Sequence, residues 1–211
     1  MSLIAKNSGG SFKQVPPGVY IARCYSLIDL GTQLTGYLDQ PKTLKPQLRI
    51  GWELFGEDDT GQPLTALVNG KPMPLTIGTE YTVSMHEKAT LRIHLAAWRG
   101  RDFTADEIKG FEVKKLLGAY CMVNCTTSEK NGKTKVAGIT PLPSALKASK
   151  PAGVHDLVLF DLEEPDMEVF STLYDYLKTK IKNSPEWKRL NTADSFDDIP
   201  DDEPTDDDVP F

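Results

Sequence analysis

The alternation of apolar and polar side chains predicts a series of β-strands through the first two thirds of the chain. It is clearest in residues 47–55 (QLRIGWELF), whose apolar residues recur at every second position: Leu48, Ile50, Trp52 and Leu54. A strand directs such residues to one face and the intervening residues to the other. Runs rich in β-branched and aromatic residues predict further strands at residues 19–30, 64–68, 80–85, 119–127, 134–139 and 154–162.

Turn-forming residues mark the connections between these strands. Residues 31–46, which include Lys42 and Lys45, form a predicted loop that contains glycine, proline and threonine. The Asn131-Gly132 pair predicts a tight hairpin between two of the later strands. Prolines are expected to break the strands in the middle of the chain: Pro63, Pro72 and Pro74.

Two segments show helical spacing instead. In residues 86–99 the apolar residues recur every three or four positions, and Gly100 then ends the pattern. Thr104 and Glu107 match a capping box, which predicts a short helical turn. Residues 167–181 predict one amphipathic helix, which either packs on the main domain or serves self-association.

Five or more strands, one helix before the last hairpin and no parallel crossover together predict a mainly β fold. We expect a five-stranded OB-fold antiparallel barrel with an interposed helix, an additional C-terminal helix and a disordered acidic tail. The chain divides into four predicted parts: a flexible N-terminal arm (1–17), the OB-fold domain (18–150), a C-terminal extension with the amphipathic helix (151–193) and the acidic tail (194–211).

Charge is distributed unevenly along the chain. The formal net charge is −6, yet nine acidic residues and no basic ones fall within residues 194–211. Residues 1–150 contain 19 basic and 13 acidic residues, a net charge of +6. A basic body joined to an acidic tail is common among nucleic-acid-binding proteins, and it also fits a neutral domain with a solubilising tail.

Membrane and secreted classes do not fit the sequence. No run of about 18 apolar residues predicts a membrane span, and residues 1–14 lack the pattern of a signal peptide. The odd number of cysteines, Cys24, Cys121 and Cys125, favours reduced thiols over a disulfide framework. We therefore expect a cytoplasmic protein.

The sequence contains no constellation typical of an enzyme. The three histidines, His86, His94 and His155, are scattered, and no second Cys/His pair joins Cys121 and Cys125 to complete a zinc site. Neither a phosphate-binding loop with Gly-Lys-Ser/Thr nor a Gly-x-Ser-x-Gly elbow occurs. We expect no enzymatic activity, no catalytic residues, no metal and no cofactor.

The C-terminal tip combines an acidic run with an apolar end: Asp206, Asp207, Asp208, Val209, Pro210 and Phe211. A tail that only solubilises the protein needs no apolar end. We expect the phenylalanine ring to fill an apolar pocket on a partner and the aspartates to steer it towards a basic rim. The tip closely resembles that of bacterial single-stranded DNA-binding proteins, which implies docking on replication and repair proteins.

Basic and aromatic residues interleave through the body of the chain. Single-stranded nucleic acid is bound by flat side chains that stack on bases and by cations that neutralise phosphates. Lysines of the Asn-Gly hairpin are the strongest candidates, whereas the positions of Trp52 and Trp98 favour the core over the binding surface. The predicted DNA-binding residues are Arg23, Tyr25, Lys42, Lys45, Arg49, Trp52, Phe55, Arg99, Arg101, Tyr120, Lys130, Lys133 and Lys135.

Several short segments are similar, in order, to those of phage-encoded single-stranded DNA-binding proteins with a single OB-fold: residues 29–33 (DLGTQ), 51–54 (GWEL), 81–84 (YTVS), 98–104 (WRGRDFT), 117–120 (LGAY) and 129–133 (EKNGK). This resemblance, over residues 15–140, implies coating of single-stranded DNA without strong sequence preference during phage replication or recombination. Two alternatives stay open: an adaptor whose acidic tail mimics DNA, and a single-strand annealing recombination protein.

Overall fold

The computed structural model describes residues 13–36 and 41–193, and within these ranges the chain is mainly β with several short helices. The strands are β1 (Gly18–Thr35), β2 (Thr43–Phe55), β3 (Thr65–Val68), β4 (Lys71–Pro74), β5 (Thr76–Thr82), β6 (Tyr120–Thr127), β7 (Thr134–Pro141) and β8 (Val158–Phe160). The helices are α1 (Thr90–Arg99), α2 (Ala105–Lys109), a 3₁₀ turn (Val113–Leu116), α3 (Ser144–Lys147), α4 (Met167–Thr172), α5 (Asp175–Asn183) and α6 (Pro185–Ala193).

The main sheet has the strand order β5-β2-β1-β6-β7, and every pairing along this path is antiparallel. The two edge strands, β5 and β7, contact each other, but among the described residues no backbone ladder joins them to close the sheet. The prediction of a mainly β, antiparallel fold is confirmed. The expected absence of parallel pairing is wrong, because β8 adds to β1 in parallel, with Leu27 opposite Leu159.

Strand β1 contributes to two separate hydrophobic cores, since the adjacent residues Leu27 and Ile28 face opposite sides of the sheet and both are buried. Two β-bulges interrupt its register with β2. The shifts fall between Cys24 and Ser26 and between Asp29 and Gly31. Each bulge adds one residue and so exchanges the two faces of the strand. The first half of β1 therefore buries Cys24 in the main core, and the second half buries Leu30 in another core.

The main core lies between the sheet and α1. Trp52 is fully buried (0% exposed) and packs against Trp98, with ring centroids 6.1 Å apart. Helix α1 has the predicted position, and Gly100 ends it in a left-handed conformation (φ 71°). The predicted capping box of Thr104 and Glu107 is also present at α2. Three free thiols are buried in this core: Cys24, Cys121 and Cys125.

The predicted loop over residues 31–46 is wrong for most of its length. Strand β1 continues to Thr35 and β2 begins at Thr43, so Lys45 lies within a strand, opposite Gln33. Cross-strand pairing and β-branched threonines outweigh the local glycine and proline here. Residues 37–40 of the predicted loop lie outside the described ranges.

Two of the three prolines that were expected to break strands lie within one, whereas Pro63 precedes β3 as predicted. Pro72 and Pro74 lie within β4, which pairs only with β3 among the described strands. A proline is tolerated at a sheet edge because no partner there needs its missing N–H group. The turn is formed by Asn69 and Gly70, whose φ angles are 51° and 78°. This second Asn-Gly pair is a hairpin signal that the sequence analysis did not use.

The C-terminal helical region differs from the single helix predicted over residues 167–181. The chain is extended at Leu173 and Tyr174 (ψ 152° and 144°), which separates α4 from α5. The break lets α4 pack on β8 and α5 pack on β1. They form the second core with residues of β1 and the β8 region: Ile28, Leu30, Phe160, Leu162, Phe170, Leu173, Leu177 and Ile181. Helix α6 was not predicted.

The described end of the predicted N-terminal arm, residues 13–17, lies against the β6–β7 hairpin. The Gln14 side chain donates to the backbone oxygen of Gly132 at 2.9 Å and to Thr134 Oγ1 at 3.0 Å. Val15 is buried in the main core. Among the described residues, no helix is both long and apolar enough to cross a membrane.

Candidate nucleic-acid interface

The outer face of the sheet carries a patch of aromatic and apolar side chains where β2, β1 and β6 lie side by side. We call this patch the aromatic face: Ile21, Phe55, Tyr120 and Met122. Ile21 lies opposite both Phe55 and Met122 in the strand register. The rings of Phe55 and Tyr120 are nearly parallel, at 24°, with centroids 6.5 Å apart. All four side chains are half-buried, so each keeps a surface open to solvent.

Strand alternation explains why these side chains point outwards. Their chain neighbours Ala22, Leu54 and Cys121 are buried in the main core. Because side chains alternate along a strand, burial of these neighbours directs the aromatic face towards solvent. The prediction that Leu54 and Phe55 lie on opposite faces of β2 is confirmed.

On strand β7 the outer face continues as an open floor. Gly138 lies opposite Asn124, and a Cβ atom added at Gly138 would meet no atom within 4 Å. Thr140 lies opposite Met122, and Lys135 lies opposite Thr126. The floor therefore leads from the aromatic face towards the β6–β7 hairpin without a large side chain in its path.

The hairpin at the end of this floor is basic. Lys130, Lys133 and Lys135 are exposed, and the ion pairs among the described residues involve other cations. One carboxylate, that of Glu129, is next to Lys130 in the hairpin. The three lysines are thus free to contact an anion that lies on the floor.

Tyr120 is held in place from several directions. Its hydroxyl donates to the backbone oxygen of Pro151 at 2.6 Å, and its own backbone oxygen accepts from Trp98 Nε1 at 3.0 Å. The Lys150 ammonium lies 4.8 Å from the centre of its ring. Desolvation raises the pKa of Tyr120, so the phenol stays neutral at physiological pH.

Beside Tyr120 the surface opens into a cleft of about 430 Å³. Three of its lining residues are cationic, namely Arg99, Lys147 and Lys150. Both lysines are exposed. The cleft therefore places positive charge on the opposite side of the aromatic face from the hairpin lysines. Lys147 and Lys150 were not among the predicted DNA-binding residues.

Residues 151–155, which we call the strap, cross the outer face next to the aromatic face. The backbone N–H groups of Val154 and His155 donate to the Glu53 carboxylate at 3.1 and 2.9 Å. Arg23 forms an ion pair with the same carboxylate and donates to the backbone oxygen of His155. The ring of His155 packs on Tyr25, with centroids 5.0 Å apart. The strap thus covers the centre of the sheet.

Three of the predicted DNA-binding residues are engaged in contacts with the strap or with the sheet beside it. The Arg23 side chain is only 14% exposed and lies directly beneath Gly153. Arg49 extends its guanidinium across Gly78, where a Cβ atom would collide with it. Tyr25 lies between Arg49 and His155. These side chains bind other parts of the protein rather than face solvent as free cations or rings.

Three further predicted residues are also engaged elsewhere. Trp52 is in the core and has no exposed face. Arg99 and Arg101 share the Glu107 carboxylate, and Arg99 also lies over the Phe103 ring at 4.3 Å. The hydrogen bonds from the two arginines lower the pKa of Glu107 far below its ordinary value. This cluster stabilises the start of α2, and Glu107 neutralises one of the two positive charges.

Lys42 and Lys45 lie at the opposite end of β2 from the aromatic face. Lys45 alternates onto the same face of β2 as Phe55 but is ten residues away, which corresponds to about 33 Å along a strand. Together with Lys88 it lines a second groove of about 940 Å³. Hydroxyl groups are frequent along this groove: Thr35, Thr43, Thr82, Ser84 and Thr90.

The structure therefore brings together five of the thirteen predicted DNA-binding residues: Phe55, Tyr120, Lys130, Lys133 and Lys135. It adds Ile21 and Met122, which the sequence analysis missed. The sequence did contain a signal for Met122, because this residue is two positions from Tyr120 on a predicted strand and so lies on the same face. The six residues of the predicted partner-binding tip, 206–211, lie outside the described ranges.

No family model and no curated protein matches this chain. What the surface can do follows from its chemistry. Exposed rings can stack on other planar groups, and ammonium groups on both sides can bind anions. Among the described residues there is no group of three or more side chains suited to bind a metal ion.

Proposed function

We propose that this protein binds and coats single-stranded DNA, without strong sequence preference, as a non-enzymatic protein of phage replication or recombination in the bacterial cytoplasm. The observation that carries the proposal is the stacked pair of Phe55 and Tyr120, half-buried between the hairpin lysines on one side and Lys147 and Lys150 on the other. Sequence-independent binding of single strands uses this combination of rings for bases and cations for phosphates.

The strand order supports an OB-type barrel as the framework of this site. Numbered among themselves, the five strands of the sheet follow the order 3-2-1-4-5, and α1 lies in the chain between the third and fourth. Contact between β5 and β7 supports closure of the barrel on its remaining side. In OB-folds oligonucleotides bind on the sheet face between two hairpin loops. Of the corresponding loops here, the first carries Lys42, with Lys45 just inside β2, and the second carries Lys130 and Lys133.

Single strands are favoured over duplex because stacking on protein rings needs bases with a free face. In a duplex, the faces of the bases are covered by their neighbours. Every base has such a face, so the interaction tolerates any sequence. The four side chains of the aromatic face come from adjacent strands of one sheet.

The hairpin lysines give a direct test of phosphate binding. Replacing Lys130, Lys133 and Lys135 with alanine is expected to weaken oligo-dT binding and to reduce the slope of log K against log salt by about 2, at about 0.7 per phosphate contact on single strands. The slope is measured by fluorescence anisotropy over a salt series.

A matched control removes the same charge elsewhere. Lys71, Lys109 and Lys115 are exposed residues away from the aromatic face, and their triple alanine variant is expected to keep the wild-type slope. Equal slopes for the two triple variants would show that the hairpin does not contact phosphates.

The acidic tail is proposed to recruit replication and repair proteins through residues 206–211, and to compete with DNA for the basic surface when no DNA is bound. Deleting residues 194–211 removes nine negative charges and is expected to tighten oligo-dT binding at low salt. The gain should disappear at high salt because screening weakens the tail–body attraction.

The control for this experiment deletes only Val209, Pro210 and Phe211. This shorter deletion leaves all nine carboxylates in place, so DNA affinity should stay at the wild-type value. An affinity that is the same for wild type and the 194–211 deletion at low salt would refute the competition.

A further inference from the structure

A second pair of stacked rings lies at the start of α5, outside the aromatic face. Tyr174 and Tyr176 are 51% and 49% exposed, although they are large aromatic residues. Their rings are almost parallel, at 15°, with centroids 6.2 Å apart. The neighbouring apolar residues Leu173 and Leu177 are buried in the second core. The tyrosine pair is therefore presented to solvent while the helix packs through its other side.

The break between α4 and α5 creates this arrangement. Tyr174 is the residue that precedes α5, and its extended backbone (ψ 144°) lets the chain change direction there. In the single helix predicted from sequence, Tyr174 would have shared the buried face with Phe170 and Leu177. The break instead places Tyr174 beside Tyr176 at the surface.

The tyrosine pair belongs to the same side of the molecule as the strap. Tyr174 is close enough to Tyr25, which packs on His155 of the strap, to contribute to its raised pKa. The helix that carries Tyr176 is fastened to the outer face of the sheet, because Lys180 forms an ion pair with Glu80 of β5. Three ring pairs therefore follow one another across the outer face: Phe55–Tyr120, Tyr25–His155 and Tyr174–Tyr176. The strap lies between the first pair and the third.

The charges around the tyrosine pair are compatible with binding of a polyanion such as a DNA strand. Asp175 lies between the two tyrosines in the sequence and is fully exposed, and Lys178 Nζ lies 3.8 Å from its carboxylate. Lys178 Nζ also donates to the backbone oxygen of Ser171 at 2.6 Å, which holds it next to the rings. A strand whose bases stack on the rings can direct its phosphates towards solvent, away from Asp175.

We propose that Tyr174 and Tyr176 form a second base-stacking platform, which binds single-stranded DNA beyond the strap. The inference rests on the proposed function, since it assumes that the aromatic face binds the first part of the same strand. The strap then separates two contact regions, and a strand must be long enough to pass it before the second platform contributes.

The test compares oligo-dT of about 4 to about 20 nucleotides, a range that spans the site sizes of OB-folds. The variant carries Tyr174→Ala and Tyr176→Ala, and the matched control carries Tyr174→Phe and Tyr176→Phe. We expect the alanine variant to bind the longest oligonucleotides at least about fivefold more weakly than wild type for each ring lost. The shortest oligonucleotides should bind equally, and the phenylalanine control should match wild type at every length.

The outcomes separate this inference from the proposed function. If wild type shows no binding to oligo-dT at any length, the proposed function fails. If wild type binds but the alanine variant matches it at all lengths, or loses affinity equally at all lengths, the second platform is overturned. Photo-crosslinking of wild-type protein to oligonucleotides that contain iododeoxyuridine avoids any effect of the substitutions on folding. Cross-links at Tyr174 or Tyr176 support the platform, and cross-links confined to the aromatic face contradict it.

Discussion

Replacing Phe55 with alanine is expected to weaken oligo-dT binding by about 1–3 kcal/mol, which is roughly 5- to 150-fold. Phe55 faces solvent beside Tyr120, and its loss removes a stacking surface without opening a cavity in the main core. The double variant Phe55→Ala with Tyr120→Ala should lose more affinity than either single variant. Anisotropy titrations at fixed low salt measure the change.

Two control variants distinguish the loss of ring stacking from a general loss of folded structure. Tyr120→Phe keeps the ring but loses the hydrogen bond to Pro151, so its DNA affinity should stay close to the wild-type value. Leu67→Ala removes an exposed apolar residue from the β3–β4 hairpin, away from the aromatic face, and should leave binding unchanged. If Phe55→Ala binds as tightly as wild type, the aromatic face is not the stacking surface.

The second large effect concerns stability. Glu53→Ala is expected to lower the free energy of unfolding by about 3–5 kcal/mol, the range for breaking a buried ion pair by removing one partner. Glu53 is fully buried and accepts from Arg23 and from the backbone N–H groups of Val154 and His155. Alanine would leave all three donors without this acceptor. Urea denaturation with a linear extrapolation measures the loss.

A double substitution distinguishes the buried charge from simple loss of packing. Arg23→Met combined with Glu53→Leu replaces the ion pair with apolar side chains of similar length, and such replacements of buried pairs are often neutral. The double variant should therefore be more stable than Glu53→Ala alone. A loss below about 1 kcal/mol in Glu53→Ala would mean that the strap is not held by this carboxylate.

Patterns confined to one strand or one helix predicted the structure well. The alternation in β2 predicted that Trp52 shares a face with Leu54 and that Phe55 lies on the opposite face, because alternation is a local property of a strand. The spacing of Leu91, Leu95 and Trp98 predicted α1 for the same reason. Asn131-Gly132 predicted the basic hairpin, which is one side of the candidate site.

Features that depend on distant contacts were not predictable in this way. The strap contacts Glu53 through Val154 and His155, about one hundred residues away in sequence, and nothing in the local pattern of residues 140–153 indicates it. The same contact explains why Arg23 is not a free cation. Likewise, the break before α5 follows from packing of α4 on β8 and of α5 on β1, not from a proline or glycine at Leu173 or Tyr174.

The most direct test of the central claim is a comparison of labelled oligo-dT with a duplex of equal length, titrated by fluorescence anisotropy at low and at high salt. The full chain and the chain without residues 194–211 are measured side by side. We predict tight binding to oligo-dT that weakens steeply as salt rises, and much weaker binding to the duplex. Absence of binding to oligo-dT by both proteins at low salt would contradict single-strand binding and favour an adaptor that binds other proteins.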